Sequence, residues 1–210
     1  MHARMRIHQL LLRLITNWHI SCNAGHMWGT RMMLNTFIVI LGAWLLADFI
    51  SGVAHWAQDR ILVPSKNNFK NKIIMDNVLH HTKPAEMLKF SLLENIRIAI
   101  FVMWPIALIL YLMGSPTVIW LAFFFVAFGN GVHWFSHQRR VNFLVRFLQR
   151  IGLFTSFSHH RQHHQSAGKL VDRHNAKIKF CVMTNWVNPL LDRIQFFRFL
   201  EMAFGKRGNV

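Results

Sequence analysis

Three apolar stretches, each close to the ~20 residues that carry a helix across a bilayer core, limit what this chain can fold into. They read "LNTFIVILGAWLLADFISGVA" (34–54), "IRIAIFVMWPIALILYLM" (96–113) and "TVIWLAFFFVAFGNGVHWF" (117–135). One such stretch fits the buried helix of a soluble domain. Three of them in 210 residues, 53% of which are hydrophobic and only 15% charged, fit a multi-pass membrane protein. Pro105 is expected to kink the second, and Gly129, Asn130 and Gly131 to mark the membrane end of the third. Only "GSP" (114–116) separates the second from the third, a turn that forces two antiparallel helices. The end of the first stretch, the loop from Trp56 to Asn95 and everything after Phe135 therefore share one side of the membrane.

Charge names that side. The net charge is +16, and 20 of the 24 Lys and Arg residues lie beyond residue 55, none of them in the GSP turn. By the positive-inside rule this face is cytoplasmic, in a bacterial inner membrane or the endoplasmic reticulum. The basic excess then reads as topology and lipid contact rather than nucleic-acid binding. Two cysteines, Cys22 and Cys181, make neither a disulfide framework nor a zinc spacing.

The first 33 residues carry Arg4, Arg6, Arg13 and Arg31, on what this topology makes the outer side. The segment "LLLRLITNW" reads as an interfacial helix or a fourth membrane element, and Met27, Met32 and Met33 offer alternative starts. Residues 1–33 are thus set apart as an extension, 34–201 as the membrane domain and 202–210 as a basic tail. Two further segments are amphipathic: 142–157, expected to lie along the membrane surface, and 179–201, expected to break at Pro189. The fold class is all-α: three to four transmembrane helices, amphipathic interfacial helices and a histidine cluster on the cytoplasmic face.

That cluster is the chemical signal. In "FTSFSHHRQHHQ" (154–165), His159 and His163, and His160 and His164, are each four residues apart, so both pairs stack along a helix. His133 and His137 repeat the spacing at the end of the third stretch. His55 and Asp59 do so at the end of the first, and His80 and His81 follow in the loop between. With Asp48, His55 and Asp59 fall within roughly 40° on the helix surface at about 100° per residue. An acid inside a span such as Asp48 is a functional candidate, or else it pairs with a neighbouring helix or caps a break at Ser51–Gly52. Ten of the 14 histidines lie beyond residue 50, on one face, whereas His2, His8, His19 and His26 show no pattern. Many imidazoles with few carboxylates suit iron, copper or zinc rather than magnesium or calcium. About eight histidines exceed what one ion takes and point to two metals. Asp59 would be a ligand or would orient a ligating imidazole.

The order HxxxH then HxxHH resembles the membrane-bound, eight-histidine di-iron desaturases and hydroxylases. "ADFISGVAHWAQD" (47–59), "HHTKP" (80–84), "HWFSHQ" (133–138), "HHRQHH" (159–164) and "FCVMTNWVNPLLDRIQFFRFLE" (180–201) bring the chain closest to one branch. This is the Kua-type lipid desaturases, which include plasmanylethanolamine desaturase and the plant plastid phosphatidylglycerol desaturase. The resemblance implies O2-dependent removal of two hydrogens from a chain of a membrane phospholipid. It implies two iron ions held by His55, His80, His81, His133, His137, His160, His163 and His164, with Asp59 in support. It also implies an external electron donor of the cytochrome b5 or ferredoxin type docking on the basic face. Asn185 stands where the family pattern has Gly, and the stretch 165–179 is longer, which leaves His159 and His174 in reserve. A lipid hydroxylase of the same metal class is the near alternative. A non-catalytic membrane metal binder is the distant one, since a transporter wants polar groups along a path and here only Asp48 and Asn130 lie inside the spans.

Overall fold

The computed structural model describes residues 2–60, 80–167 and 179–204, with side chains from Arg31 onward except Ile98, Ser166 and Ala167. His174, the lysines of 61–79, the side chains of "LLLRLITNW" and residues 205–210 lie outside the described residues. Every regular element described is helical. In order they are α1 (His2–Arg60), a 3₁₀ turn (Pro84–Lys89), α2 (Leu92–Leu112), α3 (Thr117–Ser136), α4 (Phe143–Arg150), α5 (Phe157–Ala167), α6 (Val187–Arg193) and α7 (Phe196–Phe204). Residues 80–82 are helical as well.

The chain divides into two units, residues 1–41 and 42–210. In the first, Met32, Met33, Leu34, Phe37, Ile38 and Ile40 are all exposed, the surface of a helix meant for hydrocarbon rather than water. The second holds the remainder of α1 and every other element.

Three helices are long and apolar enough to cross a membrane: Arg31–Arg60, Leu92–Leu112 and Thr117–Ser136. The second and third are the hairpin that the GSP turn requires. Gly114 sits at φ +72°, a backbone region glycine enters without Cβ strain, and Ser115 N–H donates to Leu110 C=O at 3.0 Å to close the turn. A capping box starts α2, with Ser91 Oγ accepting from Glu94 N–H and the Glu94 carboxylate accepting from Ser91 N–H. Across the hairpin Trp104 stacks on Phe124 and Tyr111 meets Trp120 edge-on. Ala43 and Ala47 of α1 and Ala122 of α3 are fully buried against one another's neighbours. Small side chains at that contact let the helices approach closely.

α3 continues through Gly129–Gly131 to Ser136, with Gly129 against Met183 and Gly131 against Ile96 and Leu92 of α2, and α2 runs through Pro105 as one element. Two expectations need correction. The surface helix expected over 142–157 is only Phe143–Arg150, ended by Gly152 at φ +81°. The helical region expected over 179–201 is non-helical to Trp186, and its break falls at Gln195 (φ 51°) rather than at Pro189. Pro189 is the third residue of α6, where its missing N–H belongs to an unpaired first turn in any case.

The non-helical run 179–186 crosses α1 at close range. Gly52 makes room for it, since a Cβ there would lie 2.5 Å from Cys181 Sγ and 3.2 Å from Cys181 Cα. Asp48, fully buried, holds it down: its carboxyl oxygens accept from Met183 N–H (2.8 Å), Thr184 N–H (3.1 Å) and Thr184 Oγ1 (2.7 Å). Asp48 therefore anchors a neighbouring segment, and its partner is this non-helical run rather than a neighbouring helix or a break at Ser51–Gly52. The run in turn fixes the loop before α5 through Thr155 N–H to Met183 C=O and Asn185 N–H to Gly152 C=O. Trp56, Phe180, Cys181, Val187, Leu191 and Phe197 close a core beneath it.

Candidate metal centre

Each helix end contributes its residues by spacing. His133 and His137 stand one turn apart where α3 ends, and His55 and Asp59 one turn apart where α1 ends. α5 presents His160, His163 and His164, and residues 80–82 present His80 and His81. Adjacent residues on a helix point about 100° apart, so the two members of a His-His pair cannot serve one point. They serve two. His80 and His164 join His133, His137 and His160 in one group, while His81 and His163 join His55 and Asp59 in another. Within each group the potential ligand atoms lie within 4.8 Å of one another. The groups adjoin, with ring centroids 5.3 Å apart for His80–His81 and 5.6 Å for His163–His164.

In the five-histidine group the Nε2 atoms converge. His160 Nε2 lies 2.9 Å from His133 Nε2, 3.0 Å from His137 Nε2 and 2.9 Å from His164 Nε2, and His133 and His137 are 3.3 Å apart. An imidazole nitrogen offers one proton or one lone pair, so no placement of protons satisfies His160 Nε2 against three like neighbours. A cation does: nitrogens about 2.1 Å from a shared ion sit roughly 3.0–3.4 Å from each other. His80 Nε2 is buried without a hydrogen-bond partner in the same place. Burial and the neighbouring imidazoles hold His137 down to about 4 and His164 to about 3, and hold His80 and His160 well below the usual imidazole range. These rings are therefore free bases at neutral pH, the form that binds metal.

The second group is built around a carboxylate. Asp59 Oδ1 is 2.9 Å from His81 Nε2, and Oδ2 is 3.7 Å from His55 Nε2 and 3.8 Å from His163 Nε2. The Phe180 ring closes one side, with centroids 5.7 Å from His163 and 6.5 Å from His55. Both donor sets fit a transition metal: mostly imidazole, with one carboxylate in all.

All eight histidines named from the sequence fall into these two groups, and Asp59 stands among the donor atoms of the second. His159 does not join them. Its Nε2 is 3.1 Å from Asn188 Nδ2, and Asn188, fully buried, also binds both backbone groups of Cys181. Sequence reasoning did not single out Asn188, Thr184 or Phe180, although all three lie in the quoted string 180–201. No spacing announces a residue that acts by holding a loop.

Residues 44–208 match the family model described as the lipid desaturase domain. The chain is 28% identical over 174 residues to a probable fatty acid desaturase of Acanthamoeba polyphaga mimivirus, covering 80% of this chain and 82% of that one. It is 29% identical over 177 residues to plasmanylethanolamine desaturase of Myxococcus xanthus, covering 80% and 59%. To plasmanylethanolamine desaturase 1 of Mus musculus it is 28% identical over 199 residues, covering 87% and 70%. No solved structure matches the chain. With its three membrane-length helices and paired histidine groups, the chain belongs to the lipid desaturase family of oxidoreductases.

Proposed function

We propose that the chain is an O2-dependent di-iron desaturase that introduces a double bond into the alkyl or acyl chain of a membrane phospholipid. The observation that carries this reading is the pair of adjoining donor groups at the ends of membrane-length helices. His80, His133, His137, His160 and His164 would hold one iron. His55, His81, His163 and Asp59 would hold the other. When bound, the irons supply the oxidising power that an unactivated C–H bond demands and that no side chain possesses.

The balance is one O2, two electrons, two protons and the two substrate hydrogens, giving two waters and the alkene. The electrons come from an external donor of the cytochrome b5 or ferredoxin type. Arg139, Arg140 and Arg161 are exposed beside the ligand positions, and a basic surface favours an acidic partner. By the charge rule this face is cytoplasmic.

The chain's own residues hold, shield and align. Imidazoles on four separate backbone segments hold the ligand set, and Asp59 offsets positive charge in the second group. Trp56 and Phe180, both buried, keep water from that side, which strengthens the electrostatics within. Relatives named plasmanylethanolamine desaturase support a vinyl-ether product, and a relative named probable fatty acid desaturase supports an acyl product.

Lipid profiling of cells expressing the full chain tests the proposal. Phospholipids lighter by two hydrogens, absent when His160 is changed to Ala, are expected. A lipid heavier by one oxygen would replace desaturation by hydroxylation, and an unchanged lipidome would reject both.

A further inference from the structure

An apolar cavity of about 290 Å³ opens between Trp44 of α1, Leu92 and Ile96 of α2, and Phe125, Phe128 and Val132 of α3. We propose that this cavity is the binding groove for a single lipid hydrocarbon chain, the segment of substrate that is held while the metal centre acts. The inference rests on the lipid-desaturase reading and assigns that substrate a location.

Three observations carry it. The first is position. All the lining residues but Phe154 belong to the three helices long and apolar enough to cross a membrane, so hydrocarbon is the matter that reaches them. The second is size and chemistry. The lining is almost wholly apolar, and the volume equals roughly ten units of the ~30 Å³ that a water occupies. A methylene is about that large, so one alkyl chain segment fits and a protein helix does not.

The third is alignment with the metal centre. On α3 the lining runs from Phe125 to Phe135, about 15 Å at 1.5 Å per residue, and ends at the turn that carries His133. Val132 precedes His133 by one position, so groove and histidine group flank the same helix at the same height. Gly131 adds room in that turn, since its missing Cβ would press on Ile96 Cγ2 and Leu92 Cδ1 at 3.0 and 3.2 Å.

The wall opposite is rigid. Trp44 Nε1–H donates to Leu153 C=O at 3.1 Å, and its ring stacks on Phe154 and meets Phe125 edge-on. A tryptophan held on three sides gives the groove a fixed boundary, as a site that must present one carbon pair requires.

Photolabelling tests the assignment without needing turnover. The full chain is reconstituted in vesicles of phosphatidylethanolamine and phosphatidylglycerol that carry a diazirine in mid-chain, irradiated, and mapped by mass spectrometry. Label on Trp44, Phe125 or Phe128 is expected in addition to the outward α2 residues Phe101, Leu108 and Leu112. Leu92→Trp, which fills the groove from its edge, should abolish the groove label and leave the α2 label unchanged. Label confined to the outward α2 face, or groove label that survives Leu92→Trp, would overturn the proposal. Iron content of the same preparation reports separately on the metal reading, so the two can fail independently.

Discussion

Asp59 is the one carboxylate among nine donor groups, and its charge distinguishes the two clusters. Asp59→Asn keeps the shape and removes the charge, so the chain should retain about one iron, in the five-histidine group, when metal is measured by mass spectrometry. His159→Gln, in contrast, should leave iron content unchanged, because His159 binds Asn188 and not the ligand groups. Asp48 makes a different kind of contribution. Asp48→Ala would leave two backbone N–H groups and a threonine hydroxyl buried without their acceptor. The expected cost is on the order of 3 kcal/mol, read as a lower melting temperature in detergent even for the metal-free chain. At this scale the sequence was most legible where spacing encodes direction: one-turn repeats declared His55 with Asp59, His133 with His137, and His160 with His164. It was silent about Asn188 and Thr184, whose partners lie on other elements and leave no periodic trace.

Between elements, the decisive contact is the crossing of 179–186 over α1. Gly52→Ala would drive a methyl into Cys181, and overpacking of that kind costs about 1–3 kcal/mol. Because Phe180 lines the second donor group, the displacement should also lower iron occupancy there. Full iron content in Gly52→Ala would refute the coupling. The spans were readable from apolar length alone, and the α2–α3 hairpin from its three-residue connection. The amphipathic segments were read too long. Helical periodicity persists in 142–157 and 179–201, yet Gly152, with Trp186 Nε1 packed on the face a Cβ would take, and the tie of Asp48 to Met183 and Thr184 override it. Tertiary hydrogen bonds of that kind outweigh local propensity, which spans less than about 1 kcal/mol per residue for ordinary side chains.

For the whole molecule, the arrangement answers why a chain this apolar gathers its histidines at one end of its helices. The three membrane-length helices line an apolar cavity, and the ends of α1 and α3 carry donors of the two groups beside it, so in the proposed reading a lipid chain and a metal centre meet within one small domain. The segregation of ten histidines beyond residue 50, eight of which fall into the donor groups, made those groups legible. The groove was not, because its lining is chemically the same as any other stretch of a spanning helix, and only packing separates a cavity from a contact. The most direct test of the account is iron per chain in the detergent-purified protein, beside the variant with His163→Ala and His164→Ala, which removes one donor from each group. About two irons per chain, lost in the variant, are predicted. No iron, or a single zinc that survives both substitutions, would contradict the dinuclear centre on which the proposed function stands.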